Sequence, residues 1–304
     1  MKRVIVTGGT GFIGRPLCRL LAETGYEVLA LTRHPDRSRK LFGRGVACLG
    51  WDGKSAKSWV DVASGALAII NLAGDNIGQG RWNTGKKQAI LHSRLEAGRA
   101  VARAVERAKE KPQVVIQASA VGYYGSTEAL VDENAPAGQG FLAEVAAQWE
   151  GSTAPVEKEG VRRVVIRTGM VLGQGGALAQ MLPSFKMFLG AVFGSGQQGV
   201  SWMHLRDEVG AIKHLMELKE ASGPYNLTSL NPVTHEAFCQ TLASVLKRPC
   251  KLRIPAPLAR LLLGEMADQL LLSGQFVDPS RLIASGYKYE FSGLRAALED
   301  ILAR

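Results

Sequence analysis

Cysteine is scarce in this 304-residue sequence, with four residues scattered at positions 18, 48, 239 and 250. None of them forms a Cys-x-x-Cys pair or has the spacing of a metal-ligand set, which argues against the common structural zinc sites and against a disulfide framework. We therefore expect no bound metal and free thiols in a reducing compartment, which indicates a cytoplasmic protein.

Long apolar runs are also missing, so the sequence predicts no membrane-spanning segment. The first residues, Met1-Lys2-Arg3, lead directly into a predicted strand, and we expect no signal peptide. Hydrophobic residues make up 46% of the chain. That share and the chain length are typical of a globular protein with one large or two unequal domains.

Basic residues exceed acidic ones, with 37 Lys and Arg against 27 Asp and Glu and a net charge of +10. The basic residues are dispersed and often stand beside carboxylates, as in the segment Arg103–Arg107. No basic stripe with interleaved aromatic residues is present, which argues against nucleic acid as a partner. A positive field favours an anionic cofactor or substrate, so we expect a small-molecule partner and neither nucleic acid nor membrane.

Glycine, in contrast, is abundant, and three glycines near the N-terminus have a spacing that is typical of a nucleotide-binding turn. The segment Thr7–Gly14 follows a short apolar run, Val4–Val6, and precedes a helical pattern. Gly8 permits a tight turn, Gly11 lets the backbone approach a pyrophosphate, and Gly14 lets the helix pack closely on the strand. The helix N-terminus offers free N–H groups to the phosphate. This context predicts a dinucleotide-binding turn.

The second predicted strand, Glu27–Arg33, indicates which dinucleotide binds. An acidic residue at its end would hold the ribose of NAD, whereas a basic residue can hold the 2′-phosphate of NADP. Here Arg33 stands at the end and no carboxylate does, which favours NADP(H). Two alternatives stay open: a solvated basic loop, or Asp36 holding a ribose if the strand ends later.

Strand-like and helix-like segments alternate through about residue 170, which predicts an α/β fold with a doubly wound parallel sheet of the Rossmann type. The apolar strands are continuous rather than alternating, as in a sheet covered on both faces. The predicted strands are Val4–Val6, Glu27–Arg33, Val46–Leu49, Leu67–Leu72, Val114–Ser119 and Arg163–Arg167.

The pattern changes after Gly173. We predict a nucleotide-binding domain over residues 1–174 and a mainly smaller C-terminal substrate lobe over residues 175–304, with an interleaved boundary. Predicted helices include residues 86–110, residues 140–159 and one strongly apolar helix over residues 257–272. Ligands in this architecture bind at the carboxyl ends of the strands, between the lobes.

Several motifs together resemble the extended short-chain dehydrogenase/reductases, and more closely their atypical epimerase-family branch. The resemblance covers essentially the whole chain. It rests on Thr7–Gly14, Asn71–Gly74, Arg81-Trp82, Ser93-Arg94, Ser119–Gly125, Phe141–Glu144, Trp149-Glu150, Arg167–Gly169, Val171–Gly173, Val200–Asp207, Gly223–Leu227 and Leu261–Met266.

The resemblance implies an NADP(H)-binding Rossmann fold and a set of cofactor-binding residues. Leu72 and Val171 can equally be plain core packing. The implied residues are Gly8, Thr10, Gly11, Phe12, Ile13 and Gly14 at the pyrophosphate, Thr32 and Arg33 at the 2′-phosphate, Leu72, Ala73 and Gly74 along a ribose, Arg94 toward the same cleft, and Ser119 and Val171 near the nicotinamide.

The sequence departs from the family at the catalytic positions. The family uses a Tyr-x-x-x-Lys pair, in which the lysine lowers the pKa of the tyrosine that transfers the proton. Here Phe141 stands for the tyrosine and Val145 for the lysine. The family's Ser or Thr position falls on Ala120, with Ser119 one residue earlier. The usual tyrosine-mediated catalysis is therefore not expected.

Five other side chains are candidates for proton transfer. Each has a structural alternative: Ser119 stands one residue before the expected position, Tyr123 and Tyr124 can simply pack, Glu144 can be solvated, and His204 can be a hydrogen-bonded structural histidine.

Asp207, three residues after His204 in the C-terminal substrate lobe, is a further candidate for a polar side chain in the cleft between the lobes. The segments Arg81-Trp82 and Trp202–His204 either line a substrate pocket for a flat or anionic ligand or fill the core between the lobes.

Two functional hypotheses follow. The chain is either an NADP(H)-dependent oxidoreductase or epimerase-like enzyme acting on a small molecule, or a catalytically silent NADP(H) sensor or scaffold. The fold alone does not choose between them.

Overall fold

The computed structural model describes residues 2–43 and 45–303 of the chain. Within these ranges the strands, in chain order, are β1 Arg3–Thr7, β2 Glu27–Thr32, β3 Val46–Gly50, β4 Ala68–Asn71, β5 Val114–Ala120, β6 Leu130–Val131, β7 Arg162–Thr168, β8 Met170–Leu172, β9 Ala191–Phe193, β10 Gly199–Val200, β11 Trp202–His204, β12 Gly223–Leu227, β13 Val233–Thr234, β14 Leu252–Ile254 and β15 Phe276–Val277.

The helices surround the strands and connect most of them. Two short 3₁₀ helices, Val121–Tyr124 and Ala154–Glu159, add to these. The α-helices of the described ranges are α1 Gly14–Glu23, α2 Pro35–Arg39, α3 Val60–Ala63, α4 Thr84–Arg107, α5 Phe141–Ser152, α6 Gly176–Lys186, α7 Leu205–Glu217, α8 His235–Leu246, α9 Ala256–Leu263, α10 Glu265–Leu270, α11 Ser280–Ala284 and α12 Leu294–Leu302.

Seven strands form one parallel sheet in the order β12-β7-β5-β4-β1-β2-β3. The strand order reverses at β1, so the chain winds in both directions from the strand that carries the glycine loop. This confirms the predicted doubly wound parallel sheet of the Rossmann type.

The two faces of the sheet have separate apolar cores. Val4 and Val6 of β1 belong to one cluster with α1 and α7, while Ile5 between them belongs to a second cluster with α3 and α4. Successive side chains of a strand point to opposite faces, so a strand covered on both sides must be apolar at every position. The continuous apolar runs of the sequence have this cause.

The C-terminal part contributes to two places. Helix α7 and strand β12, both beyond residue 174, pack into the core of the sheet. A third apolar cluster joins α6, α8 and α12 around the fully buried Trp202 and Phe238.

Three predicted helices have different ends in the structure. The predicted helix over residues 257–272 is wrong as one element, because Gly264 (φ +64°) separates α9 from α10. The helix predicted over residues 140–159 ends at Ser152, and a 3₁₀ helix containing Pro155 follows. The helix predicted to residue 110 ends at Arg107, because Ala108 has an extended backbone with ψ 130°.

No helix of the described ranges is long and apolar enough to span a membrane. Across those same residues, His, Cys, Asp and Glu side chains form no group of three or more able to hold a metal ion.

Candidate functional site

The loop after β1 is shaped by glycine at two positions. Gly8 has φ +67°, and a Cβ built on it would lie 2.7 Å from the carbonyl oxygen of Leu72. A Cβ on Gly14 would overlap the carbonyl oxygen of Gly8. The N–H of Gly11 donates to that same oxygen at 2.9 Å, which closes the turn. The loop therefore holds backbone close to backbone in a way that a larger residue at position 8 or 14 would prevent.

Helix α1 starts directly behind this loop with its N-terminus available. The N-cap residue Ile13 makes no side-chain capping bond, and the first turn carries no acidic residue. The first N–H groups of a helix have no partner within it and carry a partial positive charge. Together with the solvent-exposed Gly11, this arrangement fits the pyrophosphate of a dinucleotide.

The other residues of the loop have mixed surroundings. Thr10, Phe12 and Ile13 are half-buried, and Ile13 packs against the first apolar core. The ring of Phe12 lies against the backbone of Gly173, Gly175 and Gly176, at about 2.7–3.0 Å from Cβ atoms built there. Phe12 thus packs the glycine loop against the segment Gly173–Gly176 at the start of α6.

Strand β2 ends at Thr32, which fixes the surroundings of the predicted 2′-phosphate site. The Thr32 hydroxyl is buried, lies 2.9 Å from the Ser38 hydroxyl and accepts from the backbone N–H of His34. Arg33 follows with an exposed side chain. Asp36 lies inside α2 and pairs with Arg39 at 3.2 Å. The later strand end that would have brought Asp36 to a ribose is not observed.

A buried polar chain supports the segment after β4. Thr7 donates to Asn71 at 2.6 Å, and Asn71 donates to Gln117 at 2.8 Å, across three neighbouring strands. The Thr7 hydroxyl also accepts from the N–H of Ala73 at 3.3 Å. The backbone from Leu72 to Gly74 is therefore held beside the glycine loop, at the carboxyl edge of the sheet.

Arg94 reaches this segment from α4. Its Nη1 donates to the carbonyls of Asp75 at 3.1 Å and Ile90 at 2.9 Å, and a Cβ on Gly74 would lie 3.1 Å from the guanidinium carbon. The guanidinium also lies 4.8 Å from the ring centroid of Trp149. Burial lowers the pKa of Arg94 to about 10, so the group keeps its charge at neutral pH.

The position of the family tyrosine is occupied by an aromatic and cationic cluster. The Phe141 ring meets Trp82 edge-on at 5.3 Å between centroids, and Lys87 Nζ lies 4.6 Å from the Phe141 centroid. Lys87 also pairs with Glu265 of α10 at 2.8 Å. Val145, at the position of the lysine, is buried. No phenol–ammonium pair forms at these two positions.

Ser119 and Tyr124 belong to one hydrogen-bonded network around Arg167. Ser119 Oγ donates to Glu150 at 2.6 Å, and Glu150 receives Arg167 Nε and Nη2 at 2.9 and 3.1 Å. Arg167 Nη1 donates to the Tyr124 hydroxyl at 3.0 Å, which itself donates to Asn226 at 2.7 Å. Although burial alone would lower the pKa of Arg167, Glu150 raises it above its usual value. Burial raises the pKa of Tyr124. This network connects the ends of β5, β7 and β12.

Tyr123 and Glu144 differ from these residues. The Tyr123 ring lies against the Arg167 guanidinium, 3.6 Å from its centroid, and its hydroxyl has no recorded hydrogen bond to the described chain. Glu144 is exposed on α5, whereas Ala143, Val145 and Ala146 around it are buried. Its carboxylate therefore lies on the solvent side of the helix.

The two candidates from the C-terminal substrate lobe, His204 and Asp207, make structural contacts. His204 caps α7 by accepting from the N–H of Arg206, lies 3.4 Å from Asp300 and stacks on Phe291 at 3.9 Å. Asp207 is buried and accepts from the N–H groups of Glu290 and Phe291. Both side chains fasten the C-terminal segment to α7.

Of the aromatic residues considered for a substrate pocket, Trp202 fills the core. It is fully buried, and its indole N–H donates to the carbonyl of Asn231. Trp82 is half-buried, and its N–H donates to the carbonyl of Ile77, which fixes the loop before α4. Val171 is buried on β8 and pairs with Met203. The cofactor-binding residues named from the sequence stay predictions.

Two residues of the site, Asp75 and Glu150, were not singled out from the sequence. Asp75 pairs with Lys86 at 2.6 Å beside Gly74, and the hydrogen bond from Lys86 lowers the pKa of Asp75. Glu150 belongs to the motif Trp149-Glu150, which by itself predicts no partner for the carboxylate. Its pairing with Arg167 spans two elements, so no helical spacing signals it. Only the position of Asp75, directly after a glycine at a strand end, hinted at a site.

Comparisons with known proteins agree with this architecture. Residues 4–228 match the model of the NAD dependent epimerase/dehydratase family, and residues 254–301 match a domain of unknown function, DUF1731. The chain is 38% identical to epimerase family protein ML0860 of Mycobacterium leprae, over 99% of this chain and 96% of that protein. It is 36% identical to epimerase family protein YfhF of Bacillus subtilis, over 99% of this chain and 98% of the relative.

Solved structures give the same result. The human epimerase family protein SDR39U1, crystallised with NADPH, is 33% identical, covers 99% of both chains and has a TM-score of 0.87. A UDP-galactose 4-epimerase with 19% identity and a TM-score of 0.77 shares the fold. These matches confirm the resemblance seen in the motifs: the chain belongs to the NAD-dependent epimerase/dehydratase family, as an atypical epimerase-family member of the short-chain dehydrogenase/reductases.

Proposed function

We propose that this protein binds NADP(H) and uses it as an oxidoreductase or epimerase-like enzyme on a small organic molecule. The observation that carries the proposal is the glycine loop, in which Gly8 and Gly14 hold the backbone where a side chain would clash. The uncapped N-terminus of α1 behind it adds the positive end of a helix dipole. Both features suit an anionic dinucleotide, and the described first turn of α1 carries no acidic side chain that would compete with it.

The preference for NADP(H) over NAD(H) rests on the end of β2. Arg33 is exposed there, while the nearby carboxylate of Asp36 is paired with Arg39. A guanidinium can bind a phosphate through two parallel charge-assisted hydrogen bonds. The human relative that was solved with NADPH supports the same choice.

Bound NADP(H) supplies a hydride donor or acceptor for a carbonyl or alcohol carbon. The chain's own residues must then hold the substrate and move one proton. Among the five residues considered for this step, Ser119, Tyr124 and His204 are engaged in structural contacts and Glu144 is exposed. We assign the proton transfer to Tyr123, whose hydroxyl has no recorded hydrogen bond within the described ranges and whose ring is held by Arg167.

A second candidate function is a sensor that binds NADP(H) without turnover. The favouring observation is the replacement of the Tyr–Lys pair by Phe141 and Val145, together with the burial of Val145. In this case the cleft would need no proton-transfer group near the nicotinamide.

The binding part of the proposal is tested by NADPH and NADH fluorescence titration of the wild-type protein and of Arg33→Ala. We expect tight NADPH binding and about a tenfold to hundredfold weaker NADPH affinity in Arg33→Ala, with little change for NADH. Arg37→Ala, which removes another exposed arginine four residues on, is the matched control and should bind both as wild type does. Equal losses for NADPH and NADH would remove Arg33 from the 2′-phosphate role.

Turnover separates the two candidate functions. Carbonyl metabolites are added to the NADPH complex and alcohols to the NADP⁺ complex, and the fluorescence of the reduced cofactor is followed. The protein is in excess over the added compound, because an epimerase, which regenerates its cofactor, changes this fluorescence only transiently. A compound-dependent change that Tyr123→Phe abolishes without loss of NADPH binding supports the enzyme. Full activity in Tyr123→Phe would contradict its assignment, and no change with any compound favours the sensor.

A further inference from the structure

The turn that ends α6 exposes three consecutive apolar side chains. Met187, Phe188 and Leu189 are 65%, 58% and 52% exposed. Phe185, within the last turn of the helix, is buried in the third apolar cluster and anchors the turn from inside. The three exposed side chains therefore protrude from a turn that is itself fixed to the core.

The backbone of this turn makes Phe188 an unusual residue for its position. Phe188 has φ +65°, and its N–H donates to the carbonyl of Phe185. The N–H of Leu189 donates to the carbonyl of Ser184. This is the Schellman pattern that ends many helices, and its left-handed position usually holds glycine because a Cβ is disfavoured there. Glycine would end α6 at least as well, so folding does not explain an exposed phenylalanine ring.

A second segment brings cations to the same surface. The guanidinium carbon of Arg248 lies 4.6 Å from the centroid of the Phe188 ring. Strand β14 pairs with β9 so that Leu252 lies beside Ala191, two residues after Leu189. We call the joint surface the Phe188 patch. It consists of four exposed apolar residues and four exposed cations that adjoin them or each other in the chain: Met187, Phe188, Leu189 and Leu252, with Lys186, Lys247, Arg248 and Lys251.

No carboxylate balances these cations within their own segments. Residues 183–190 and 244–256 contain five Lys and Arg, which are the four of the patch and Arg253, and no Asp or Glu. Arg253 pairs with Glu236. Among the residues that the structure describes, no ion pair is recorded for the other four. The Phe188 patch therefore combines exposed hydrocarbon with uncompensated positive charge.

The charge and the size of the patch select its partner. A second copy of the chain, docked through the same patch about a two-fold axis, would place cations against cations. A stable protein interface takes roughly 20–30 residues a side, far more than the Phe188 patch offers. A lipid surface with anionic headgroups supplies the opposite charge, and its acyl boundary accepts protruding apolar side chains without a preformed pocket.

We propose that the Phe188 patch docks the protein reversibly on an anionic lipid surface. Met187, Phe188 and Leu189 enter the boundary between headgroups and acyl chains, and the four cations contact lipid phosphates. Along the sequence these cations are dispersed, which predicts no membrane partner, whereas the fold brings their two segments together. Docking leaves the glycine loop free, because α6 begins against Phe12 and its 11 residues rise about 16 Å before the patch begins.

The test is co-sedimentation of the protein with vesicles of two compositions, phosphatidylcholine alone and phosphatidylcholine with phosphatidylglycerol in equal parts. We expect wild type to bind the anionic vesicles at least about tenfold more tightly than the neutral ones, and to be released from them by about 0.5 M salt. No binding to the anionic vesicles, or equal binding to both compositions, would overturn the proposal.

The variant Phe188→Gly removes the central apolar side chain without disturbing the turn. Glycine suits the left-handed backbone, so this variant should unfold at the same denaturant concentration as wild type or at a higher one. We expect it to bind anionic vesicles about tenfold more weakly. Leu130→Ala, at a residue that is 62% exposed on β6, is the matched control and should bind as wild type does. Wild-type vesicle binding by Phe188→Gly would overturn the insertion of this turn into lipid.

A pair of charge variants separates the patch from the general attraction of a chain with a net charge of +10. Lys247→Gln combined with Lys251→Gln removes two charges from the patch, and binding to anionic vesicles should weaken at least about tenfold. Lys57→Gln combined with Lys109→Gln removes two exposed charges elsewhere and should weaken binding less than about threefold. Equal losses would show that net charge, and not the Phe188 patch, attracts the lipid.

Sedimentation velocity without lipid tests the alternative occupant, a second copy of the chain. We expect wild type and Phe188→Gly to have the same sedimentation coefficient. Self-association of wild type that Phe188→Gly abolishes would assign the Phe188 patch to a second copy and overturn the lipid proposal.

Discussion

Two regions at the same edge of the sheet are built in different ways. The predicted cofactor region, from the glycine loop to Gly74, is built from backbone contacts. A Cβ at Gly8 or Gly14 would clash with neighbouring backbone, and the N–H of Ala73 after β4 donates a hydrogen bond to the Thr7 hydroxyl. The reacting region, where α5 begins beside the ends of β5 and β7, is shaped by side chains. There Phe141 packs on Trp82, and Arg167 is held by Glu150.

The difference indicates how an atypical member of the family can arise. A loop shaped by close backbone contacts tolerates few substitutions, because a Cβ at a contact point displaces the neighbouring backbone. A proton-transfer pair depends on two side chains, and an apolar replacement of both leaves the fold intact because no buried charge is left behind. The first region can therefore persist while the second changes its chemistry.

The largest expected effect is in the backbone-built region. Gly14→Ala places a Cβ on the carbonyl oxygen of Gly8, and we expect it to lower the free energy of unfolding by about 4 kcal/mol and to abolish NADPH binding. Chemical denaturation and NADPH titration measure both effects.

Gly151→Ala on α5 is the matched control for Gly14→Ala. A Cβ at Gly151 meets nothing within 4 Å, so alanine should stabilise the helix by about 0.5 kcal/mol. A Gly14→Ala protein with the stability and NADPH affinity of wild type would show that the cradle does not depend on close packing of α1.

The next largest effect tests the side-chain-built region. Glu150→Ala leaves the guanidinium of Arg167, whose side chain is 5% exposed, without its carboxylate, and we expect a loss of about 3 kcal/mol in the free energy of unfolding. Glu157→Ala removes from Arg163 a carboxylate partner that is 53% exposed, and it should cost less than about 1 kcal/mol. Similar losses in the two variants would mean that the Arg167 network does not hold this region together.

A pH effect of intermediate size comes from Glu208, which binds Thr168 at the end of β7. Its side chain is fully buried, and burial raises its pKa to about 8. The folded protein therefore keeps a proton at pH 7 that the unfolded chain releases, so the contribution of Glu208 to stability is complete below its usual pKa and is lost as pH rises toward 8.

The variant Glu208→Gln has no proton to lose, so wild type should lose about 2 kcal/mol relative to it between pH 5 and pH 7. Tyr287 and Tyr289 lie close by, but their pKa values are raised above their usual range and do not interfere. If the free energies of unfolding of the two proteins changed in parallel from pH 5 to pH 8, Glu208 would not have the raised pKa that its burial predicts.

The sequence was sufficient for the backbone-built region because its signals are local. The strand, the glycine spacing and the helix start all lie within residues 3–23. Propensity alone predicted the end of β2 at Arg33, one residue beyond the observed end at Thr32. The sheet followed from the alternation of strand-like and helix-like segments, and the family from short motifs spread along the chain. The extent of the apolar helix was wrong because Gly264, which breaks it, stands in a run whose hydrophobicity alone suggested continuity.

The side-chain-built region was much less accessible to prediction. Lys87 meets Phe141 across two helices, Arg167 meets Glu150 across a strand and a helix, and Asp207 holds a loop more than eighty residues away. Such contacts depend on tertiary packing and leave no periodic pattern in the chain. The sequence showed that the Tyr–Lys pair was missing, but the partners that occupy its place became visible only in the fold.

The smallest expected effect concerns Glu144, the one carboxylate proposed for proton transfer from α5. Its side chain is exposed, and its buried neighbours occupy the opposite face of the helix. We expect Glu144→Gln to change NADPH affinity and the free energy of unfolding by less than about 0.5 kcal/mol, as surface substitutions usually do. Turnover, once a substrate is found, should likewise persist. If Glu144→Gln instead abolished turnover while NADPH still bound, the reacting region would contain a working carboxylate, and the contrast between a preserved cradle and a replaced catalytic pair would no longer describe this protein.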